Sequence, residues 1–272
     1  MSKIMRSNQK SQRAMSENSS DTALRLLQIS DTHLHATKDS RMRGVNTYDT
    51  FRAVLDRARA DKYWPADAVI VSGDIVQDES RAGYELFRSE MEQLEVTVLC
   101  LPGNHDDPKL MDEILSGEPF QFCGSRRLRN WSFILLNTFL TGEDAGGLGG
   151  RRLEALTASL KEHETQHIVV CMHHQPLNMG SAWLDGVGLR DAENFLAALD
   201  ASTSVRAVLW GHVHQASERT RGDIRFMSAP STCSQFLPSS DFFAIDSRPP
   251  GMRWLTLHPD GQIDTKVVWL DP

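Results

Sequence analysis

Five short polar blocks carry the residue types that hold metal ions: Asp31-Thr32-His33, Gly73-Asp74, Gly103-Asn104-His105-Asp106, His173-His174 and Gly211-His212-Val213-His214. Imidazole, carboxylate and amide oxygen together suit Mn, Fe, Co or Zn better than Ca or Mg. No cysteine lies in these blocks, which argues against a structural thiolate zinc site. Singly the blocks are weak. Asp-x-His and Gly-Asp are common in solvated turns, and a His-His pair is more often an ordinary core or surface pair. Gly-Asn-His-Asp and Gly-His-x-His are more specific. All five in one chain point to paired metal ions, whose chemistry is the activation of water for hydrolysis.

Something must bring these blocks together. Each follows directly on a short apolar run: Leu24–Ile29, Ala68–Val71, Val96–Leu101, Ile168–Met172 and Ala207–Trp210. A sixth run, Phe133–Leu136, lacks such a block. Continuous runs of this length predict strands buried on both faces. Open α/β sheets place ligands past the carboxyl ends of their strands. Gly73, Gly103 and Gly211 allow tight turns that project the next side chain into a cleft. Helical spacing recurs between the runs, at Phe51, Val54, Leu55 and Ala58, at Tyr84, Phe87, Met91 and Leu94, at Leu153, Leu156 and Leu160, and at Phe195, Leu196 and Leu199. The alternation predicts an α/β fold. Towards the end, Arg225–Ser228, Phe242–Ile245, Arg253–His258 and Thr265–Trp269 read as further antiparallel strands, with Pro259-Asp260-Gly261 as a turn.

The chain has 272 residues and no internal repeat. Its formal net charge of −7 argues against a nucleic-acid polymer as partner. It leaves phosphate chemistry open, since bound cations supply positive charge. There is no apolar run of ~18 residues, the length a membrane span needs. Residues 1–22 are polar and read as a disordered tail rather than a secretory signal. The four cysteines form no CxxC pair, so a reduced, cytoplasmic protein is expected. Oligomeric state is left open, with a monomer favoured.

The order D-x-H, G-D, G-N-H-[DE], H, G-H-x-H, from about Leu26 to His214, resembles the calcineurin-like metallophosphoesterases. The resemblance implies a four-layer αββα sandwich, a single domain over residues 23–272, and two metal ions. By position, Asp31, His33 and His214 hold the first metal, Asn104, His173 and His212 the second, and Asp74 bridges them. His105 binds no metal and lies near the scissile phosphate, with Asp106 as its orienting partner. His174 stands behind the metal ligands or faces the substrate, and Asn104, His105 and His214 face it.

Three further segments are similar to bacterial class III 3′,5′-cyclic AMP phosphodiesterases: Arg43-Gly44-Val45-Asn46-Thr47, the stretch from Gly180 to Asp185, and the stretch from Ala229 to Phe236. Gln175 departs from the pattern, standing where many relatives have proline. The resemblance implies hydrolysis of cyclic AMP to 5′-AMP by a hydroxide shared between the ions, Fe and Mn being favoured over Co and Zn. The superfamily shares its ligands, so base and ribose selection must lie elsewhere. Asn46, whose amide both donates and accepts, and Trp183, whose ring can stack on a purine, are the candidates. A broad-specificity phosphodiesterase or phosphomonoesterase is the alternative, and a non-catalytic scaffold of the same fold comes after it.

Overall fold

A computed structural model of the chain describes residues 22–271. The polar tail expected over residues 1–22 lies outside these, Thr22 apart.

The first half runs β1 (Leu24–Ile29), a hairpin of β2 (Arg41–Met42) and β3 (Val45–Asn46), α1 (Thr47–Arg59), β4 (Ala68–Val71), α2 (Arg81–Glu92), β5 (Thr97–Cys100), α3 (Pro108–Ile114) and β6 (Phe120–Phe122). Then come β7 (Gly124–Leu128), β8 (Trp131–Leu135), α4 (Gly149–Glu162), β9 (His167–Cys171), α5 (Ala182–Asp185), α6 (Ala192–Asp200) and β10 (Val205–Trp210). The chain closes with β11 (Ser217–Arg221), β12 (Ile224–Ser228), a ribbon of β13 (Gln235–Phe236) and β14 (Ile245–Asp246), then β15 (Gly251–Leu257) and β16 (Ile263–Trp269).

Two six-stranded sheets result, ordered β16-β15-β1-β4-β5-β6 and β11-β12-β10-β9-β8-β7. β1, β4, β5 and β6 run parallel, as do β8, β9, β10 and β12. Antiparallel strands complete the edges. Between the sheets lies a core that includes Leu26, Ile70, Leu99, Phe133, Val169 and Leu209. On the outer face of the first sheet, the predicted stripes of α1 and α2 bury Phe51, Val54, Phe87 and Met91. On the outer face of the second, α4 and α6 bury Leu156, Leu160, Phe195 and Leu199. These are the four layers αββα. Strands buried on both sides explain why the apolar runs are continuous rather than alternating.

Two strand readings differ. Phe242–Ile245 is not a strand as a whole: only Ile245 pairs, with Phe236, and Leu237 N donates to Ala244 O at the loop's base (2.8 Å). Phe242 and Phe243 sit in an exposed loop, because no strand lies alongside to accept them. β11 is polar along its length and mostly exposed, so no apolar pattern announces it. Charge is a common way to protect a sheet edge.

Candidate metal centre

The carboxyl ends of β1, β4, β5, β9 and β10 meet at one edge of the sandwich. The chain turns sharply there. Five of the eleven non-glycine residues with positive φ among those described are site residues: Asp31 (54°), His33 (45°), Asp74 (51°), His212 (65°) and His214 (46°). Each costs about 1–3 kcal/mol, a burden that persists where surrounding structure over-determines it. Of the three motif glycines only Gly73 itself has positive φ (91°). At Gly103 and Gly211 the requirement is close approach. A Cβ at Gly103 would stand 2.0 Å from Asp74 Oδ1, and one at Gly211 2.1 Å from Ser30 Oγ.

The donor atoms fall into two clusters. In one, His33 Nε2 lies 3.1 Å from His214 Nε2, which lies 3.5 Å from Asp31 Oδ1. In the other, His173 Nε2 lies 3.2 Å from both Asn104 Oδ1 and His212 Nδ1. Asp74 Oδ2 joins them, 3.3 Å from His173 Nε2 and 3.8 Å from His33 Nε2. Ligand atoms about 2.0–2.2 Å from an ion stand roughly 3.0–3.6 Å apart at tetrahedral or octahedral angles. All of the observed spacings but the 3.8 Å between Asp74 and His33 fall on those edges. Carboxylate, imidazole and amide donors that converge at such spacings suit a cation in each cluster, so the donor set fits two ions.

Neighbouring groups aim these side chains. His173 Nδ1 donates to Ser72 O (2.7 Å) and His214 Nδ1 to Ser234 O (2.7 Å), which leaves each Nε2 free to ligate. His212 N donates to Asp31 (3.0 Å) and His105 N to Asp74 Oδ1 (2.9 Å). Burial keeps His33 and His212 neutral, pulling each imidazole down to about 3 against the opposing pull of Asp74. Burial also works against charging His173, but Asp74 by charge and hydrogen bond, with help from Asp31 and Ser72 O, pushes it up to about 9. The environment of His173 Nε2 thus favours positive charge, the condition a cation needs.

Three sequence-based assignments need correction. Asp106 does not orient His105. It is buried and accepts from Ile75 N (3.1 Å), Val76 N (3.1 Å), Gly103 N (2.9 Å) and Tyr84 Oη (3.0 Å). Those bonds tie the β4 and β5 turns together. His105 Nδ1 instead meets Gln77 Nε2 at 3.2 Å. His174 does not face substrate. Its Nδ1 contacts Thr138 Oγ1 (2.7 Å), its Nε2 contacts Asp144 O (3.2 Å), and its ring packs behind His212 at 4.7 Å between centroids. Asn46 caps α1, its Oδ1 accepting from Tyr48 N (3.1 Å) and Asp49 N (3.2 Å), and it is absent from the cleft wall. Asn-Thr-Tyr-Asp before an amphipathic run is a capping signature that could have shown this.

Asp106 carries a prediction. Asp106→Ala leaves four buried donors unsatisfied, at about 1–3 kcal/mol each. Chemical denaturation should show a midpoint well below wild type. An unchanged midpoint with lost turnover would return Asp106 to a catalytic role.

A cleft of about 360 Å³ opens over the donors. His33, Asp74, Asn104, His105, His212 and His214 line one end. Trp183 lines the other, together with Leu184 and Val187. Among the members that sequence reasoning did not assign are Arg43, Phe236 and Phe243.

The family model for calcineurin-like phosphoesterases matches residues 24–216. The chain belongs to this family. Its curated relatives include the 3′,5′-cyclic adenosine monophosphate phosphodiesterase CpdA of Vibrio vulnificus, 37% identical over 94% of this chain and 93% of that protein. A 3′,5′-cyclic-nucleotide phosphodiesterase of Nostoc is 35% identical over 89% of this chain and 91% of that one. Among solved structures, a dimetal phosphatase from Danio rerio has the same fold (TM-score 0.61, 16% identity, 92% of this chain and 100% of that chain). Within this phosphoesterase family fold, Gln175 acquires a structural role. Its Nε2 donates to Leu184 O (2.6 Å), so it ties the His173-His174 turn to α5, which carries Trp183.

Proposed function

We propose that the protein hydrolyses 3′,5′-cyclic AMP to 5′-AMP with two transition-metal ions. One observation carries the reading: a single carboxylate oxygen, Asp74 Oδ2, stands between two clusters of converging donors. Asp31, His33 and His214 would hold one ion and Asn104, His173 and His212 the other, with Asp74 placed to serve both. Fe and Mn suit this mixed imidazole, carboxylate and amide set, ahead of Co and Zn. When bound, such a pair lowers the pKa of water and draws charge from the phosphoryl oxygens.

The chain's own residues supply the rest. Water oxygen bonds to phosphorus as the bond from phosphorus to the 3′ oxygen breaks, and the 3′ oxygen takes a proton. His105, half-buried on the cleft wall, is the donor for that proton. The apolar end limits water around the sugar and base. Cyclic AMP as the substrate is supported by relatives of that printed activity at 33–37% identity over most of the chain. Among the described residues no helix is long and apolar enough to cross a membrane.

Metal-loaded protein should be assayed side by side on cyclic AMP, cyclic GMP, 2′,3′-cyclic AMP and bis-p-nitrophenyl phosphate. Cyclic AMP should lead in kcat/KM, and chelation should abolish every activity. Turnover of the aryl ester without any 3′,5′-cyclic nucleotide would overturn the substrate; full activity after metal removal would overturn the mechanism.

A further inference from the structure

The cleft is divided by chemistry. The phosphate end is built of metal donors, whereas the far end carries three aromatic rings in mutual edge-to-face contact. Trp183 lies 5.2 Å from Phe236 and 5.3 Å from Phe243, and Phe236 lies 5.3 Å from Phe243, at interplanar angles of 66°, 75° and 73°. The inner ring is tied to the metal end: Phe236 stacks flat on His214, with centroids 4.0 Å apart at 6°. The outer ring, Phe243, is 41% exposed, and its face is covered by the Arg43 guanidinium 4.1 Å from the centroid.

Arg43 arrives from a different segment. It occupies the β2–β3 turn, where Met42 pairs with Val45 and both central residues have positive φ, Arg43 at 52° and Gly44 at 85°. That two-residue turn favours Asn or Asp followed by Gly, so arginine there carries a local cost. Arg41 Nη1 steadies the turn by donating to Gly44 O (2.8 Å). Among the described residues the Arg43 side chain has neither hydrogen bond nor ion pair, and its guanidinium lies on the Phe243 face. An arginine held at conformational cost against an aromatic ring, at the mouth of a phosphoester site, needs a reason beyond packing.

We infer that the β2–β3 turn and the β13–β14 ribbon form a two-jawed clamp for the purine base of the substrate nucleotide, with the base lying between Phe243 and Arg43 against the edge of Trp183. The inference rests on the cyclic-nucleotide reading of the site. Every nucleobase offers a π-face to an aromatic ring, and arginine stacks on the opposite face by its planar charge. In the free protein the guanidinium holds the place of the base. Its exposed side chain can move outward by one stacking layer and then cap the base from outside. The ribbon is a short two-stranded element, so its outer ring can adjust while Phe236 keeps the inner end in register with His214. The larger face of a purine fits this clamp better than a pyrimidine. Phe242, beside the clamp but 81% exposed and absent from the cleft wall, has no part in it.

The test compares cyclic AMP with the base-free ribose 3′,5′-cyclic phosphate, which keeps the same leaving group. The ratio of the two kcat/KM values reads the base contact alone. Wild type should favour cyclic AMP. Phe243→Ala should reduce that ratio by about 5- to 150-fold, the range of a stacking contact, chiefly through KM for cyclic AMP. Arg43→Ala should reduce it in the same direction and Phe243→Trp should restore it, whereas Phe242→Ser should leave the ratio as it is. If wild type turns over neither cyclic phosphate, the cyclic-nucleotide reading has failed. If wild type turns over both with equal kcat/KM, or Phe243→Ala lowers both in parallel, that reading stands and the clamp is overturned.

Discussion

Replacing Asp74 with alanine should strip both metal positions and bring phosphodiester hydrolysis close to background. The residue is 2% exposed and stands between the clusters, its Oδ2 3.3 Å from His173 Nε2 and 3.8 Å from His33 Nε2. Its other oxygen accepts from His105 N, so it also positions the turn that carries Asn104. Burial works against its charge, but neighbouring groups, His173 foremost, hold its ionisation well below the usual carboxylate range. Losing an outer hydrogen-bond partner of a metal ligand costs about 10–100-fold in affinity. Losing a carboxylate that would serve both ions should cost more at each. Elemental analysis should give about two ions per chain for wild type and less than one for Asp74→Ala. His33→Ala and Asn104→Ala each disturb one cluster and should retain more metal. Asp74→Asn, which keeps an acceptor for His105 N but loses the charge, separates the structural from the electrostatic contribution. Two ions retained in Asp74→Ala, or a larger loss in His33→Ala, would defeat the shared-ligand assignment.

The metal end of the cleft was legible in the sequence because its logic is local. Each donor stands a few residues past an apolar run, and strands buried on both faces leave long runs that end abruptly, as Val71 does before Gly73-Asp74. Parallel topology then brings those ends to one edge. Side-chain direction after a turn is not local. Asp106 follows His105 directly, yet points back to the amides of Ile75, Val76 and Gly103, because three buried N–H groups there require an acceptor. Asn46 looked free to bind substrate because a helix cap and a polar contact use the same amide. The base end was illegible for another reason. Phe243 meets Arg43 across 200 residues of sequence, and neither belongs to a strand or helix whose period predicts a direction. Phe242-Phe243-Ala244-Ile245 even mimics a buried strand, since a loop of apolar residues beside a cleft has the composition of a core segment.

His105→Ala should leave metal content nearly intact and lower kcat on cyclic AMP by ~10²–10⁴-fold, the range of general-acid catalysis. The ring lies beside the donor clusters, edge-on to His33 with centroids 5.2 Å apart, and faces the cleft. Gln77 Nε2, an amide nitrogen that can only donate, meets Nδ1 at 3.2 Å. In the neutral ring Nδ1 therefore accepts and the N–H sits on Nε2, able to hydrogen-bond a substrate oxygen. To give up that proton the ring must first be charged, with Nδ1–H bonded instead to Gln77 Oε1, which has no other partner among the described residues. The 3′ oxygen of cyclic AMP departs as an alkoxide unless it is protonated, so removal of this donor should weigh heavily on that substrate. The p-nitrophenolate of bis-p-nitrophenyl phosphate leaves without such help and should suffer much less. Gln77→Leu keeps the ring but removes the bond that selects its tautomer. It should lose a smaller part of kcat on cyclic AMP, with the same bias between the two esters. Equal losses on both esters in His105→Ala would mean that the imidazole acts on phosphoryl charge, common to both substrates, and that the proton for the 3′ oxygen comes from another group.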